Sequence, residues 1–147
     1  MVDATRNEIP HDEKIASAFL KNRGGAGGLQ DFLGFKMVES SPGVMRGQVE
    51  VRPELLTTIG NMHGGVLSAF CDHMLGCVCY PAMKKGQWAA TTEFKINLTA
   101  PVSKGTLDAT ATIINLGRTQ AVVRIEVMNE GRLAAVAQGT VTIRDPR

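Results

Sequence analysis

The sequence predicts an α+β fold, an antiparallel sheet wrapped around one long central helix. Three observations carry that expectation. Residues 64 to about 80, GGVLSAFCDHMLGCVCY, are apolar nearly all round. The stretches on either side switch to a period of two, apolar against polar. Turn residues join most of those stretches at short intervals, as antiparallel hairpins require.

Residues 11–21, HDEKIASAFLK, read as a short amphipathic helix with Ile15, Ala18 and Phe19 on one face and Leu20 near it. Residues 22–28, NRGGAGG, break it. The run has the glycines of a phosphate loop but lacks its Lys-Ser/Thr ending and a preceding strand, so it reads as a connector. Leu29 to Leu33 adds a helical turn. Phe35 and Met37 then alternate with polar neighbours, and Ser41-Pro42-Gly43 forms a turn. Val44 to Arg52 is a half-exposed strand with Met45, Gly47, Val49 and Val51 on its inner side. Pro53 ends it.

The central helix runs from Gly64 to about Tyr80, where Pro81 stops it. A helix apolar on every side is expected to be covered on every side. Met83 to Gly86 is a loop. Four strands follow. In the first, Thr92, Phe94, Ile96 and Leu98 share one face against Thr91, Glu93, Lys95 and Asn97. Thr106 to Leu116 is the second. Thr119 to Met128 is the third, with Ala121, Val123, Ile125 and Val127 inward, and Leu133 to Ile143 is the last. Gly117-Arg118 and Glu130-Gly131 are the turns, and the short connections imply a meander. The chain thus divides into an N-terminal helical segment and connector, residues 1–32, and a main domain, residues 33–147.

Composition narrows the function. With 147 residues, 44% hydrophobic and 20% charged, the chain has material for one folded core. Its net charge of +2 is spread thinly, with no basic cluster beyond Lys84-Lys85, so nucleic acid is not an expected partner. No apolar run has the length of a membrane span, and the polar start MVDATRNEIPHDEK is unlike a secretory signal. Cys71, Cys77 and Cys79 crowd into the apolar helix, an odd set that fits core packing in a reducing cytoplasm. The scattered histidines form no metal-ligand spacing, so no metal is expected.

The chemistry is concentrated in residues 61–76, NMHGGVLSAFCDHMLG. Two glycines after His63 let another molecule approach the unpaired N–H groups of a helix start, where partial positive charge collects. Asp72 follows nine residues after His63. A buried carboxylate is costly unless it is hydrogen-bonded or used. An anion-stabilising corner and an acid or base make an enzyme's inventory. The plainer account is a tight turn beside a structurally bonded carboxylate. His63 would orient the glycine turn through its ring or touch substrate. His73 points about 100° away from Asp72 around the helix and reads as packing. His11 lies in a polar segment and is expected to be solvated. Ser68 lacks a nucleophile-elbow context, and the apolar setting of Cys71 favours an inert thiol.

These residues and this layout resemble the hotdog fold, and more narrowly the small acyl-CoA thioesterases of the phenylacetate-degradation (PaaI-like) type. The resemblance spans roughly residues 33 to 143. It rests on His63-Gly64-Gly65, Asp72, the stretch TTEFKINLTAP at 91–101 and LGRT at 116–119. It implies hydrolysis of an acyl-CoA thioester with no separate cofactor, coenzyme A being part of the substrate. It also implies a homodimer, or a dimer of dimers, with each site between two subunits. One subunit's Gly65 or Gly64 N–H would polarise the carbonyl. The other's Asp72 would act as base or nucleophile, and Thr91 would orient water. Thr57, Asn61 and Met62 fall on the substrate side. Relatives often carry Asn six residues before the His, and Thr57 offers one hydroxyl instead of an amide. Arg118 at a hairpin tip, with Lys84 and Lys85 second, are the candidates for the coenzyme A phosphates.

Helix geometry adds a constraint of its own. Gly65 and Asp72 lie about 10 Å apart along one axis. Hydrogen-bond reach is about 3 Å, so one chain cannot grip one carbonyl with both. Two antiparallel helices across a two-fold axis would bring Gly65 of one chain to Asp72 of the other. An acyl-CoA-binding protein with a structural Asp72 is the alternative. A dehydratase is disfavoured, because Cys77 stands where an Asp-x4-His pairing would need histidine.

Overall fold

Strand alternation decides which sheet face is dry, and the longest strands alternate almost without fault. The computed structural model describes residues 9–22 and 27–146. The N-terminal residues 1–8, the glycine-rich stretch 23–26 and the final residue lie outside the described residues. Among the described residues there are three α-helices: α1 (Glu13–Lys21), α2 (Leu29–Leu33) and α3 (Gly64–Cys77). Six strands, β1 (Lys36–Ser41), β2 (Val44–Glu50), β3 (Trp88–Leu98), β4 (Thr106–Leu116), β5 (Gln120–Asn129) and β6 (Arg132–Arg144), form one antiparallel sheet. Their order is β1-β2-β4-β5-β6-β3. The predicted α+β arrangement, a sheet wrapped on a central helix, is therefore present.

The inward row Ala121, Val123, Ile125 and Val127 of β5 is fully buried, as its alternation predicts. Phe70, Met74 and Leu75 of α3 press against that face and are fully buried too. The approach is close at Gly47 of β2, where a Cβ would stand 2.6 Å from the Met74 sulfur. On the outer face Arg46 donates to both Asp108 oxygens and to Glu39, tying β1, β2 and β4 together. Glu130 and Gly131 both adopt positive φ, the turn type whose twist matches a hairpin.

Several expectations need correction. The meander holds only for β4, β5 and β6. Strand β3 lies beyond β6, at the sheet edge, and residues 99–105 cross the sheet end to reach β4. Three inter-strand gaps are about 14 Å. Seven residues can span about 23 Å, so the crossing is unstrained. Helix α3 stops at Cys77, and Tyr80–Ala82 forms a separate 3₁₀ turn. The Cys79 N–H bonds the Gly76 carbonyl at 3.0 Å, three residues back, and Pro81 has no N–H to continue the α pattern. Cys79 therefore sits in a tighter turn outside the helix. On α1, Ala16 is buried and Ala18 exposed, so the inner stripe is shifted from the predicted one. His11 is not solvated: its side chain is only 7% exposed. The Asp12 N–H beside it donates to the Pro81 carbonyl at 2.7 Å, which docks the start of α1 onto the 3₁₀ turn.

The two largest corrections concern the site. First, α3 is not covered on every side. Gly65 and Asp72 are exposed on a face that the sheet does not reach. Second, β3 carries a bulge between Thr91 and Glu93. An extra residue shifts the alternation by one. Thr91 pairs with the inward Val141, whereas the Thr92 hydroxyl meets that of Thr142 on the outer face. Strict alternation had placed Thr91 with Glu93.

Gly139 of β6 faces the bulge. A Cβ there would stand 2.5 Å from both the Glu93 carbonyl oxygen and Phe94 Cβ. Gly139→Ala should therefore destabilise the fold by about 1–3 kcal/mol, the usual range for overpacking. Urea unfolding would show a lower midpoint, and an unchanged midpoint would mean that β3 can shift away freely.

Candidate active site

A helix start leaves N–H groups without partners, and here a histidine ring takes one of them. His63 caps α3, and its Nδ1 accepts the Gly65 N–H at 2.8 Å. A ring nitrogen that accepts carries no proton, so in this geometry Nδ1 is the acceptor and Nε2 the nitrogen left to donate. The Val66 N–H bonds the His63 carbonyl at 2.9 Å. Among the described residues the Gly64 N–H has no partner. Of the two glycines, Gly64 therefore keeps the free donor.

The loop before the helix is tied at several points. Thr57 donates its N–H to the Asn61 carbonyl at 2.7 Å, and Met62 donates to Val102 at 2.6 Å. His63 donates its own N–H to Leu55 at 2.8 Å. The Thr57 hydroxyl oxygen is buried and has no hydrogen-bond partner among the described residues. Met62 is buried, while Asn61 is half-buried. Both line a small hollow of about 220 Å³ with Leu67 and Leu98, beside the start of α3.

Asp72 stands on a different wall. It borders an open groove of about 840 Å³ between the second half of α3 and strand β3. Thr91 lines the same groove from the strand. The bulge brings it there, because without the shift its side chain would point outward. Phe19, Gly76, Tyr80 and Phe94 complete the apolar part of the walls. Gly76 and Tyr80 follow Asp72 at steps of four, a stripe visible in the sequence once Asp72 is taken as a reference. Phe19 comes from α1, and only tertiary docking places it there.

His73 also borders the groove. Its ring packs on Phe35 at 5.5 Å between centroids, and its Nε2 lies 3.4 Å from the Cys77 sulfur. Burial lowers its pKa, and the nearby Asp72 charge opposes that shift. The thiols of Cys71, Cys77 and Cys79 are pushed up to about 12 by burial. They are neutral at ordinary pH and poor nucleophiles.

Arg118 and Lys84 come together elsewhere. Both border a cleft of about 810 Å³ with Gln87, Asn115 and Asp145. Lys85 is exposed in the loop after the 3₁₀ turn, outside that cleft. One chain thus presents three separate groups: Gly64 with the Asn61–Met62 hollow, Asp72 with Thr91, and Arg118 with Lys84. Gly64 and Asp72 remain about 12 Å apart along the α3 axis. Among the described residues, no three His, Cys, Asp or Glu side chains gather into a possible metal site. No described helix is long and apolar enough to cross a membrane.

The sheet wrapped on a helix that starts His-Gly-Gly defines a hotdog fold of the thioesterase class. Residues 59–136 match the model of the thioesterase superfamily, and the chain belongs to that family. It is 31% identical to the phenylacetic acid degradation protein PaaI from Thermus thermophilus, solved as a mutant. That alignment covers 77% of this chain and 96% of the other, with a TM-score of 0.70. A thioesterase from Haemophilus influenzae shares the fold at a TM-score of 0.78 and 23% identity, covering 82% of this chain and 85% of the other. A 1,4-dihydroxy-2-naphthoyl-CoA hydrolase from Listeria monocytogenes is 25% identical over 121 residues, 82% of this chain and 98% of that protein.

The His73 shift has a pH consequence. Its folded pKa lies below the ordinary 6.5, so the unfolded chain takes up the proton first as pH falls. The stability is fully present above 6.5 and declines as pH drops through and below that value. Urea unfolding from about pH 8 to about pH 5 should show this loss, and His73→Gln should flatten it. An equal slope in wild type and variant would assign the loss to other groups.

Proposed function

We propose that this chain hydrolyses an acyl-CoA thioester to the free acid and coenzyme A, at two equivalent sites shared across a homodimer. One observation carries this reading. The free Gly64 N–H and the Asp72 carboxylate belong to the same helix, whose Gly65–Asp72 face no part of its own sheet covers. They are too far apart to act on one carbonyl within a chain. A second copy related by a two-fold axis supplies the missing half of each site. Strand β3 supports the same arrangement, since it pairs only with β6 and leaves Trp88 and Leu98 exposed at the sheet edge. The activity named for the Listeria relative is hydrolysis of a CoA thioester.

The chemistry follows from the parts. Substrate places its carbonyl oxygen on the Gly64 N–H of one subunit, at the positive end of α3. Thr91 of the other subunit holds a water against the thioester carbon, and Asp72 takes a proton from it. Hydroxide adds to the carbonyl, and the tetrahedral oxyanion collects on the N–H. The C–S bond breaks as the oxyanion collapses, and the departing thiolate receives the proton from Asp72. His63 has a positioning role: its ring holds Gly65 and so aims the Gly64 amide. Arg118 and Lys84 meet the phosphates of coenzyme A at the second cleft.

Asp72→Asn should lower kcat on the order of 10²- to 10⁴-fold with the fold and assembly retained. Steady-state kinetics, a thermal melt and light scattering check this together. The wild-type mass should be at least twice 15.7 kDa. Mixing Asp72→Asn chains with Gly64→Val chains should restore part of the activity, because one of the two heterodimer sites is intact. Near-wild-type turnover in the Asn variant, or an active monomer, overturns the reading.

Arg118→Ala should raise KM for an acyl-CoA several-fold more than KM for the same acyl group on pantetheine. The phosphates that Arg118 would meet are absent from the shorter substrate. Equal changes on both would remove Arg118 from the coenzyme site.

A further inference from the structure

The groove beside Asp72 has a direction. On α3 and the turn after it, Asp72 and Tyr80 are about 12 Å apart. On β3, Ala89 and Glu93 are about 13 Å apart. The Ala89 N–H approaches the Tyr80 hydroxyl at 3.5 Å, which fixes which ends meet. Polar groups, Asp72 with Thr92 and Glu93, border one end, and Tyr80, Ala89 and Phe19 border the other. An acyl group whose carbonyl sits near Asp72 runs from a polar mouth towards an apolar end.

That end is bordered by an element outside the family's matched region. Phe19 of α1 packs on Tyr80 at 5.6 Å between ring centroids, tilted by 47°. The helix is held in place from its other end, where the Asp12 N–H bonds the carbonyl of Pro81, the residue next to Tyr80. Asp12 also caps α1 through its side chain. The ring pair is thus anchored by both of the elements that carry it.

Midway along the groove stands Gly76, four residues from Asp72 and four from Tyr80. A Cβ built there meets nothing within 4 Å. Gly76 is the next-to-last residue of α3, and no neighbouring atom of the chain fills the space beside it, which leaves that space open to a ligand.

We propose that Gly76 forms the floor of the acyl channel and that Phe19 with Tyr80 forms its end wall, so that these residues set the acyl length the site accepts. The substrate class is an acyl-CoA with an apolar acyl group of short to medium length, without a charged far end. The proposal rests on the thioesterase reading above.

The test measures kcat/KM on butanoyl-, hexanoyl-, octanoyl-, decanoyl- and dodecanoyl-CoA for wild type, Phe19→Ala, Gly76→Ala and Gly76→Leu. Wild type should peak within the series and fall on longer chains. Phe19→Ala should raise the decanoyl to hexanoyl ratio on the order of tenfold, the scale of methylene discrimination in an apolar pocket. Gly76→Ala and Gly76→Leu should move the maximum to shorter chains. If Phe19→Ala fails to fold, Gly76→Ala and Gly76→Leu decide together, since a Cβ at that position meets no described atom within 4 Å. Identical length profiles in all four proteins overturn the proposal. Titration calorimetry of the matching non-hydrolysable acyl-CoA thioethers on an Asp72→Asn background separates it from the reading beneath it. Length-dependent binding that shifts with Gly76→Leu supports the channel even if Asp72→Asn retains full turnover and the catalytic reading falls. Length-independent binding overturns the channel even if hydrolysis stands.

Discussion

A single curved layer of strands can cover only one side of a helix, and that limit organises this molecule. Phe70, Met74 and Leu75 commit the apolar side of α3 to the sheet. What is left faces outward: Gly65, Asp72, and Gly76 below them. Glycines and one carboxylate are a poor surface for packing within the chain. They are a good surface for a ligand, because backbone amides and open space remain within reach. The groove and the free amide are both consequences of that one uncovered side.

The start of α3 shows how a small motif divides its labour. In His-Gly-Gly the two glycines look equivalent in the sequence. They are not equivalent in space, because the His63 ring captures the Gly65 N–H and leaves that of Gly64. The Gly64 amide that stays free carries the partial positive charge of the helix end.

The bulge in β3 has a comparable effect on the opposite wall. It costs one pairing and turns Thr91 from the outer face to the inner one. Gly139 accepts the displaced backbone because it lacks a Cβ. Past the bulge the alternation resumes, with Phe94 and Ile96 facing the core and Glu93 and Lys95 outside. A local defect thus delivers a hydroxyl to the groove without disturbing the rest of the strand. Docking of α1 on the 3₁₀ turn adds Phe19 to the same wall.

Much of this architecture is written in local pattern. The period of two fixed the inner rows of β2 and β5, because each strand exposes its own alternation whatever its neighbours are. The apolar run and Pro81 bounded the central helix to within three residues, because proline acts locally, having no N–H to continue the α pattern. Single turn glycines, Gly43, Gly117 and Gly131, placed the hairpins for the same reason. His63, Asp72 and their spacing were legible as a candidate site, since one helix carries both. Tertiary structure decided the rest. Strand β3 joined β6 rather than β4, and that order depends on hydrogen bonds between distant segments, from Leu98 with Ala135 to Trp88 with Arg144. The bulge, the burial of His11, the arrival of Phe19 and the exposure of Asp72 depend likewise on which surfaces meet. Sequence patterns report what a segment does to itself, whereas these features arise from what distant segments do to each other.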